Sequence, residues 1–303
     1  MAATTSRRAL HWLGTGLSLL GVAFVVVKFS QHGNLSALRG LGPRAWAILL
    51  ALALGYGLSA TLLAFAWRDV LAHLGVFVGR RWATRAYGVS QLAKYVPGNV
   101  VHLAGRQAIG AAAGIPGWPL AKSALWELAT LSLTASFFGI LAVPLLAEMF
   151  GPALAAGSFV LALSVYVWIA ARWLSLHVAR AVCCYAVFLT LSGLTFAGVL
   201  ALNAPPRSGI WLSLVLPSGA YVISWLAGLV MPGAPAGMGV REFFLFALLR
   251  STISQPDLLA AIVMARLVTV GGDTFFYLLS SLLLSGHAPG IRVRRHGCDR
   301  PAR

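Results

Sequence analysis

SQLAKYVPGNVVHLAGRQAIG, residues 90–110, sets a cluster of polar side chains around a Pro-Gly pair in a chain that is otherwise strongly apolar. In a continuous helix, one face would carry the residues spaced three or four apart: Gln91, Lys94, Gly98, His102 and Arg106. Pro97 lacks the backbone donor that a helix interior uses, and Gly98 costs about 1 kcal/mol relative to alanine. The stretch therefore predicts a helix that is broken at residues 96–99.

The composition of the whole chain indicates whether this break lies in a membrane or in water. Of its 303 residues, 59% are hydrophobic and only 10% are charged, and the mean hydropathy is +0.84. Too few polar side chains are present to cover a soluble globule of this length. We predict an all-α polytopic integral membrane protein, with one transmembrane domain at residues 1–289 and a basic cytoplasmic tail at residues 290–303. No polar region between the apolar runs is long enough for a soluble catalytic domain.

Apolar runs long enough to cross about 30 Å of hydrocarbon predict about eight transmembrane helices. The first, residues 10–29, follows two arginines but has no small-residue cleavage site after it, so we predict a retained helix rather than a signal peptide. The remaining predicted crossings are residues 45–67, 123–147, 152–171, 181–202, 209–230, a short or tilted one at 236–250, and 258–285. Residues 90–110 are predicted to re-enter the membrane without crossing it.

The chain has a formal net charge of +16, from 23 lysines and arginines against 7 acidic residues. Such an excess is typical of cytoplasmic loops that face anionic headgroups, and residues 68–85 form the densest basic loop. We expect this loop, the 172–180 connection and both termini on the cytoplasmic side, with residues 148–152 outside. The basic residues are scattered over short loops and tails rather than gathered on one face with aromatic residues, which argues against nucleic acid as a partner.

A second interrupted stretch, MPGAPAGMGVRE at residues 231–242, has the same character. Its prolines and glycines, among them Gly237 and Gly239, do not permit a regular helix. Arg241 and Glu242 then fall in the first turn of a short helix, where Glu242 would either cap that helix or serve a site. Two Gly/Pro-interrupted apolar segments in one chain indicate a transport site built from discontinuous helices, with two ordinary tight turns as the alternative.

The first break also predicts what its surroundings bind. Freed backbone groups at membrane depth have to face protein or a water-filled cavity, because each unsatisfied group costs several kcal/mol. Lys94 and Arg106 bracket the break, and cations beside half-helix N–H groups suit a phosphate. Arg106 would make a bidentate contact and Lys94 a point-charge contact. The alternative is an interfacial amphipathic helix whose cations reach the headgroups.

The few other ionisable residues in apolar runs need partners. Glu127 would pair with one of the three cations already named, or relay protons, and pairing is the favoured role. Arg266 and Asp273 share a helix face but stand about 10 Å apart along it, so their partners have to come from other helices. The three cysteines and seven histidines are too dispersed for a ligand set, so no metal is predicted. No cofactor is predicted either, and the absence of a GxxxxGK loop argues against ATP as the direct driver.

Two motifs carry a resemblance to a known family: KYVPGN at residues 94–99 with His102, Gly105 and Arg106, and PAGMGVRE at residues 235–242. In this order and separation the chain resembles, over nearly its whole length, the flippase-like transmembrane domain of the lysylphosphatidylglycerol synthase family. The resemblance implies a stand-alone bacterial or archaeal inner-membrane protein of about eight helices, without the synthase domain, that moves a lipid or lipid-linked group between leaflets. Val101 stands where many relatives carry Trp, so an aromatic contact there is not implied. Stand-alone members serve varied lipids, so lysylphosphatidylglycerol is not implied as the cargo.

Together these features predict a lipid translocase that accepts an anionic phospholipid or a lipid-phosphate-linked group in a cationic cavity between two broken helices. Lys94 and Arg106 would receive the phosphate, other polar groups would hydrogen-bond the headgroup, and the second broken stretch would complete or gate the site. The predicted substrate-binding residues are Gln91, Lys94, Tyr95, Pro97, Gly98, Asn99, His102, Arg106, Glu127, Gly237, Gly239, Arg241 and Glu242. Two other interpretations stay open: an intramembrane lipid-phosphate transferase, and a non-transporting subunit that tethers a lipid- or glycan-modifying enzyme. Whether the chain forms a homo-oligomer also stays open.

Overall fold

The computed structural model describes residues 42–95, 101–145, 151–202, 214–231, 235–282 and 291–293. The helices in these ranges are α1 (Pro43–His73), α2 (Arg80–Gln91), α3 (Val101–Ala112), α4 (Gly117–Phe137), α5 (Pro152–Ile169), α6 (Leu176–Ala201), α7 (Leu216–Val230), α8 (Val240–Leu249) and α9 (Gln255–Leu282). Short helical turns extend or precede them: Leu92–Tyr95, Gly139–Ala142, Val143–Leu145, Ala170–Leu174 and Pro235–Gly237. The strands are β1 (Val76–Phe77) and β2 (Arg292–Val293).

Five helices in the described ranges, taken with their extensions, are long and apolar enough to cross a membrane. They are α1, α4 continued to Leu145, α5 continued to Leu174, α6 and α9. On their outer faces large apolar side chains stay exposed, among them Leu50, Leu125 and Leu161, as expected of surfaces that contact lipid. The chain is therefore an all-α, multi-pass membrane protein, as predicted. The predicted first crossing lies outside the described residues.

One end of the bundle collects the basic connections. Ser175, at the start of α6, hydrogen-bonds His73 at the end of α1 (Oγ–Nδ1 2.9 Å). Just after α1, strand β1 pairs antiparallel with β2, with Val76 opposite Val293. The basic loop after α1, the connection between α5 and α6, and the beginning of the predicted tail therefore lie together at what we call the basic end. This arrangement agrees with the common side predicted for these three segments.

Helices α2 and α3 form a first hairpin, which enters the bundle from the basic end and returns to it. Each has 12 residues and is about 18 Å long, well short of a crossing. Helix α2 follows α1, and α3 leads into α4, whose Ser123 accepts a hydrogen bond from Trp67 near the end of α1. The predicted re-entry of residues 90–110 is confirmed. Helix α2 ends in the tight turn Leu92–Tyr95, and the predicted break at residues 96–99 lies outside the described residues.

Helices α7 and α8 form a second hairpin, which enters from the opposite end. They have 15 and 10 residues, and are about 22 and 15 Å long. Helix α7 starts against the far end of α4, where a Cβ on Gly219 would lie 2.7 Å from Leu141, and α8 ends one short turn before α9. The prediction of two separate crossings at residues 209–230 and 236–250 is therefore wrong in the part that the structure describes. The described residues hold five long spans, fewer than the number predicted.

Helices α1 and α9 approach each other closely at a pair of glycines. A Cβ on Gly57 would lie 2.5 Å from the Gly272 carbonyl oxygen, whereas a Cβ on Gly55 would meet nothing within 4 Å. We expect Gly57→Ala to lower the free energy of unfolding by about 1–3 kcal/mol through overpacking. Gly55→Ala should leave it unchanged or raise it slightly, because alanine favours helix. Unfolding of the detergent-purified protein in SDS measures both, and equal stability of the two variants would contradict the close approach.

Candidate functional site

The tips of the two hairpins meet in the middle of the bundle. The turn Leu92–Tyr95 contacts the turn Pro235–Gly237. Beside them lies a cavity of about 80 Å³, which has room for several water molecules. The predicted site residues that line this cavity are Gln91, Lys94, Tyr95, His102, Glu127, Gly237 and Arg241. The fold thus brings together the two interrupted stretches, although about 140 residues separate them in the sequence.

Asp273 of α9 holds the tip of the first hairpin. Its carboxylate accepts hydrogen bonds from Tyr95 Oη at 2.6 Å and from Gln91 Nε2 at 3.3 Å. Lys94 Nζ lies 2.7 Å from Asp273 Oδ2. Because Asp273 is fully buried, pairing with Lys94 offsets the cost of removing either charge from water. The partner from another helix that the sequence requires for Asp273 is therefore Lys94.

Arg106 of α3 pairs with Glu127 of α4. Its Nη1 donates to both carboxylate oxygens, at 2.7 and 2.8 Å, and Tyr87 Oη donates to the same carboxylate at 2.9 Å. The guanidinium also lies over the Tyr87 ring, 3.9 Å from its centre. The prediction that Glu127 pairs with a cation is confirmed.

This pairing corrects the role predicted for the two cations of the first hairpin. Arg106 is 1% exposed and is not among the described residues that line the cavity, so it is not placed to contact a phosphate there. Lys94 does line the cavity, but its ammonium is already neutralised by Asp273. Both cations therefore hold the first hairpin in place by ion pairing.

Glu242 of α8 has two partners. One carboxylate oxygen accepts a hydrogen bond from the Gly239 backbone N–H at 2.6 Å, which caps the first turn of α8 as predicted. The other accepts from Arg266 Nε of α9. Arg266 also donates to the carbonyl of Ala236 at 3.4 Å. Ala236 and Gly237 have φ of +48° and +68°, in the left-handed region that favours glycine, so Arg266 contacts the turn where the backbone is most constrained.

Arg241 differs from the other cations at the hairpin tips, because no ion pair with a described carboxylate compensates it. It is 6% exposed and lines the cavity. Its guanidinium carbon lies 4.3 Å from the centre of the Tyr221 ring. A cation–π contact of this kind contributes about 2 kcal/mol when desolvated, well below the cost of burying a guanidinium. Among the described cations at the hairpin tips, Arg241 is therefore the one that lacks an ion pair, and Glu242 attracts it only at longer range.

The charges around the hairpin tips can be counted over the described residues. With histidine counted as neutral, the formally charged groups are the cations Lys94, Arg106, Arg241 and Arg266 and the carboxylates Glu127, Glu242 and Asp273. Three ion pairs cancel, and the formal charge that remains is +1, at Arg241.

The other predicted residues have varied positions. His102 lines the cavity, and its Nδ1 has no hydrogen-bond partner in the described part of the chain. Pro97, Gly98 and Asn99 lie outside the described residues. Within the described ranges, no three His, Cys, Asp or Glu side chains come close enough together to hold a metal ion.

Several wall residues are not among the predicted site residues, and they include Tyr56, Trp225, Arg266 and Asp273. Arg266 and Asp273 carry a usable signal, because ionisable side chains inside an apolar run face the bundle interior. Tyr56 and Trp225 carry none, since aromatic residues are common at membrane interfaces and nothing in their local sequence sets them apart.

Comparison with models of known protein families gives no match for this chain, and no curated protein matches it. Its function therefore has to be argued from the residues of the cavity. These combine a cavity of mixed polar and apolar lining, beside the meeting hairpin tips, with one buried cation that has no ion pair among the described residues.

Proposed function

We propose that this chain is a lipid translocase that accepts the anionic headgroup of a phospholipid, or of a lipid-phosphate-linked group, between its two hairpin tips. The observation that carries the proposal is Arg241, a buried guanidinium on the cavity wall with no carboxylate partner among the described residues. A phosphate fits this position, because a guanidinium presents several donors to one anion. Gln91 and His102 line the same cavity and supply further polar contacts.

The hairpin arrangement supports transport between leaflets. The first hairpin enters from the basic end and the second from the opposite end, and their tips meet at the cavity. Displacement of one tip would open the cavity toward one side, and displacement of the other would open it toward the other side. Broken helices at the midplane that line a binding site are characteristic of transporters with alternating access.

The proposal also includes the membrane in which the chain lies and its orientation there. The basic end faces the cytoplasm, since lysines and arginines accumulate in cytoplasmic loops, and both termini lie on that side. The motifs that resemble the lysylphosphatidylglycerol synthase family support, within this proposal, a stand-alone flippase-like protein in the inner membrane of a bacterium or archaeon. A transferase mechanism has less support. Each of the three described carboxylates at the hairpin tips already forms an ion pair, so none of them is free to act as a general base.

Replacing Arg241 tests the proposal. The purified full chain is reconstituted in phosphatidylcholine liposomes with a trace of fluorescent phosphatidylglycerol, and dithionite bleaching follows the label that reaches the outer leaflet. For the wild type we expect exchange faster than in empty liposomes. Arg241→Ala should slow this exchange about tenfold to a hundredfold, because a hydrogen bond to a charged group contributes about 1.5–3 kcal/mol. Arg241→Lys should retain an intermediate rate, since it keeps the charge but loses the fork of donors.

Arg250→Ala is the matched control, because Arg250 is an exposed arginine just after the same short helix. It should exchange lipid as the wild type does. Wild-type exchange at the empty-liposome rate would overturn the proposal and favour a tethering subunit. Recovery of a covalently altered lipid would favour the transferase instead.

A further inference from the structure

The charge balance at the hairpin tips restricts the kind of anion that the cavity accepts. Lys94–Asp273 and Arg106–Glu127 are each paired at 2.7 Å, and Arg266 pairs with Glu242. These pairs leave the single positive charge of Arg241. This balance of charges is counted over the described residues.

We propose that the cavity selects a singly charged phosphodiester headgroup over a doubly charged phosphomonoester or pyrophosphate. This inference rests on the proposed function, which supplies a lipid as the ligand. A monoanion cancels the excess charge of Arg241 and leaves the enclosed site neutral. A dianion would leave one negative charge uncompensated beside three buried carboxylates, and the ammonium of a zwitterionic headgroup would restore a net positive charge to the site.

The cavity wall favours a lipid over free phosphate as the source of this phosphodiester. The cavity is also lined by the apolar side chains Leu63, Leu131 and Phe188. An apolar surface of this kind suits the glycerol and first acyl carbons of a phospholipid, and it offers nothing to a small hydrated anion.

Asp273 is the specificity-determining residue in this scheme, because it is a fully buried carboxylate on the cavity wall. Asp273→Asn removes one negative charge and raises the formal charge of the site from +1 to +2, which a dianion would cancel. Gln91→Lys reaches the same +2 without deleting a carboxylate, since Gln91 Nε2 lies 3.3 Å from Asp273 Oδ1. The double variant Lys94→Gln/Asp273→Asn removes one charge of each sign and keeps +1.

Binding of two short-chain lipids to the detergent-purified full chain at pH 8 tests the inference. Dihexanoyl phosphatidylglycerol is the monoanion, and dihexanoyl phosphatidic acid is mostly a dianion, because the second ionisation of a phosphomonoester falls near pH 6. The rise in unfolding temperature with ligand concentration gives each Kd. We expect the wild type to bind the phosphatidylglycerol at least about tenfold more tightly than the phosphatidic acid. Dimethyl phosphate, which has the same charge and no acyl chain, should bind at least about tenfold more weakly than either lipid.

The variants test whether the net charge of the site or an individual contact determines which lipid binds more tightly. Asp273→Asn and Gln91→Lys should each shift the ratio of the two Kd values about tenfold or more toward the phosphatidic acid, while the double variant keeps the wild-type ratio. If Asp273→Asn does not fold, Gln91→Lys carries the comparison. An unchanged ratio in Gln91→Lys, a double variant that follows the single ones, a wild type that binds neither lipid, or dimethyl phosphate binding as tightly as the lipids would each overturn the inference. The expected binding order without liposome exchange would leave this inference standing and remove translocation.

Discussion

Glu127→Ala is expected to lower the free energy of unfolding by about 3–5 kcal/mol, the usual cost of removing one partner from a buried ion pair. Arg106 would remain almost wholly buried, at 1% exposure, without its carboxylate. Its Nε already lacks a hydrogen-bond partner in the described structure, so the guanidinium has little else to bind besides the rings of Tyr87 and Trp67. The charge would have to draw in water or pull α3 away from α4, and either change loosens the first hairpin.

SDS unfolding of the detergent-purified variants measures this loss. Arg106→Met/Glu127→Leu should recover most of it, because two apolar side chains of similar size replace the pair without leaving a charge. Asp257→Ala is the control: this carboxylate, at the solvent-exposed start of α9, hydrogen-bonds Ser254 and should contribute less than about 1 kcal/mol. If Glu127→Ala and Asp257→Ala lose equal stability, the buried pair does not hold the hairpin.

The broken helices are visible in the sequence because their cause is local. Proline and glycine interrupt hydrogen bonding wherever they stand, so two Gly/Pro stretches in apolar surroundings predict two breaks whatever the rest of the chain does. The capping role of Glu242 is local for the same reason, since Gly239 and Glu242 are three residues apart. These predictions need no knowledge of which helices are neighbours.

The number of crossings depends on information that hydropathy does not contain. Helices α7 and α8 are both apolar, and an apolar run of 10 or 15 residues has the same composition whether it crosses as a tilted helix or returns as one arm of a hairpin. The packing at each end of the helix decides whether it crosses or turns back, and the close approach of Gly219 to Leu141 is an example. Sequence periodicity therefore predicts the break but not the direction in which the chain leaves it.

The choice of ion-pair partners also depends on information that the local sequence does not contain. Glu127 and Arg106 are 21 residues apart, and their pairing is one of three that the sequence leaves open. Tyr95 and Asp273 are 178 residues apart, and only the tertiary fold selects Asp273 as the partner of the first tip. Sequence alone therefore predicts a phosphate contact for Lys94 and Arg106, the nearest cations to the break, whereas our proposal gives that contact to Arg241.

Arg266→Ala is expected to release the tip of the second hairpin. Arg266 contacts this tip twice, through the carboxylate of Glu242 and through the Ala236 carbonyl, so its loss leaves a buried carboxylate unpaired and the turn unsupported. We expect a loss of about 3–5 kcal/mol in the free energy of unfolding. Arg266→Ala retains the cap from Glu242 to the Gly239 N–H. Glu242→Ala removes cap and pair together, and should cost about 1 kcal/mol more.

Release of the tip can be followed separately from stability. A cysteine is placed at Ala236 after the three native cysteines are replaced by serine, and its labelling by a water-soluble maleimide is timed in liposomes. Arg266→Ala should speed labelling about tenfold, because a change of about 1.4 kcal/mol in the closed state already shifts the open population by that factor. Leu267→Ala, on the exposed side of the same helix turn, should leave the labelling rate unchanged. Equal labelling in both variants would mean that Arg266 does not hold the tip. Faster labelling together with slower lipid exchange would mean that the tip has to close on the headgroup for transport to proceed.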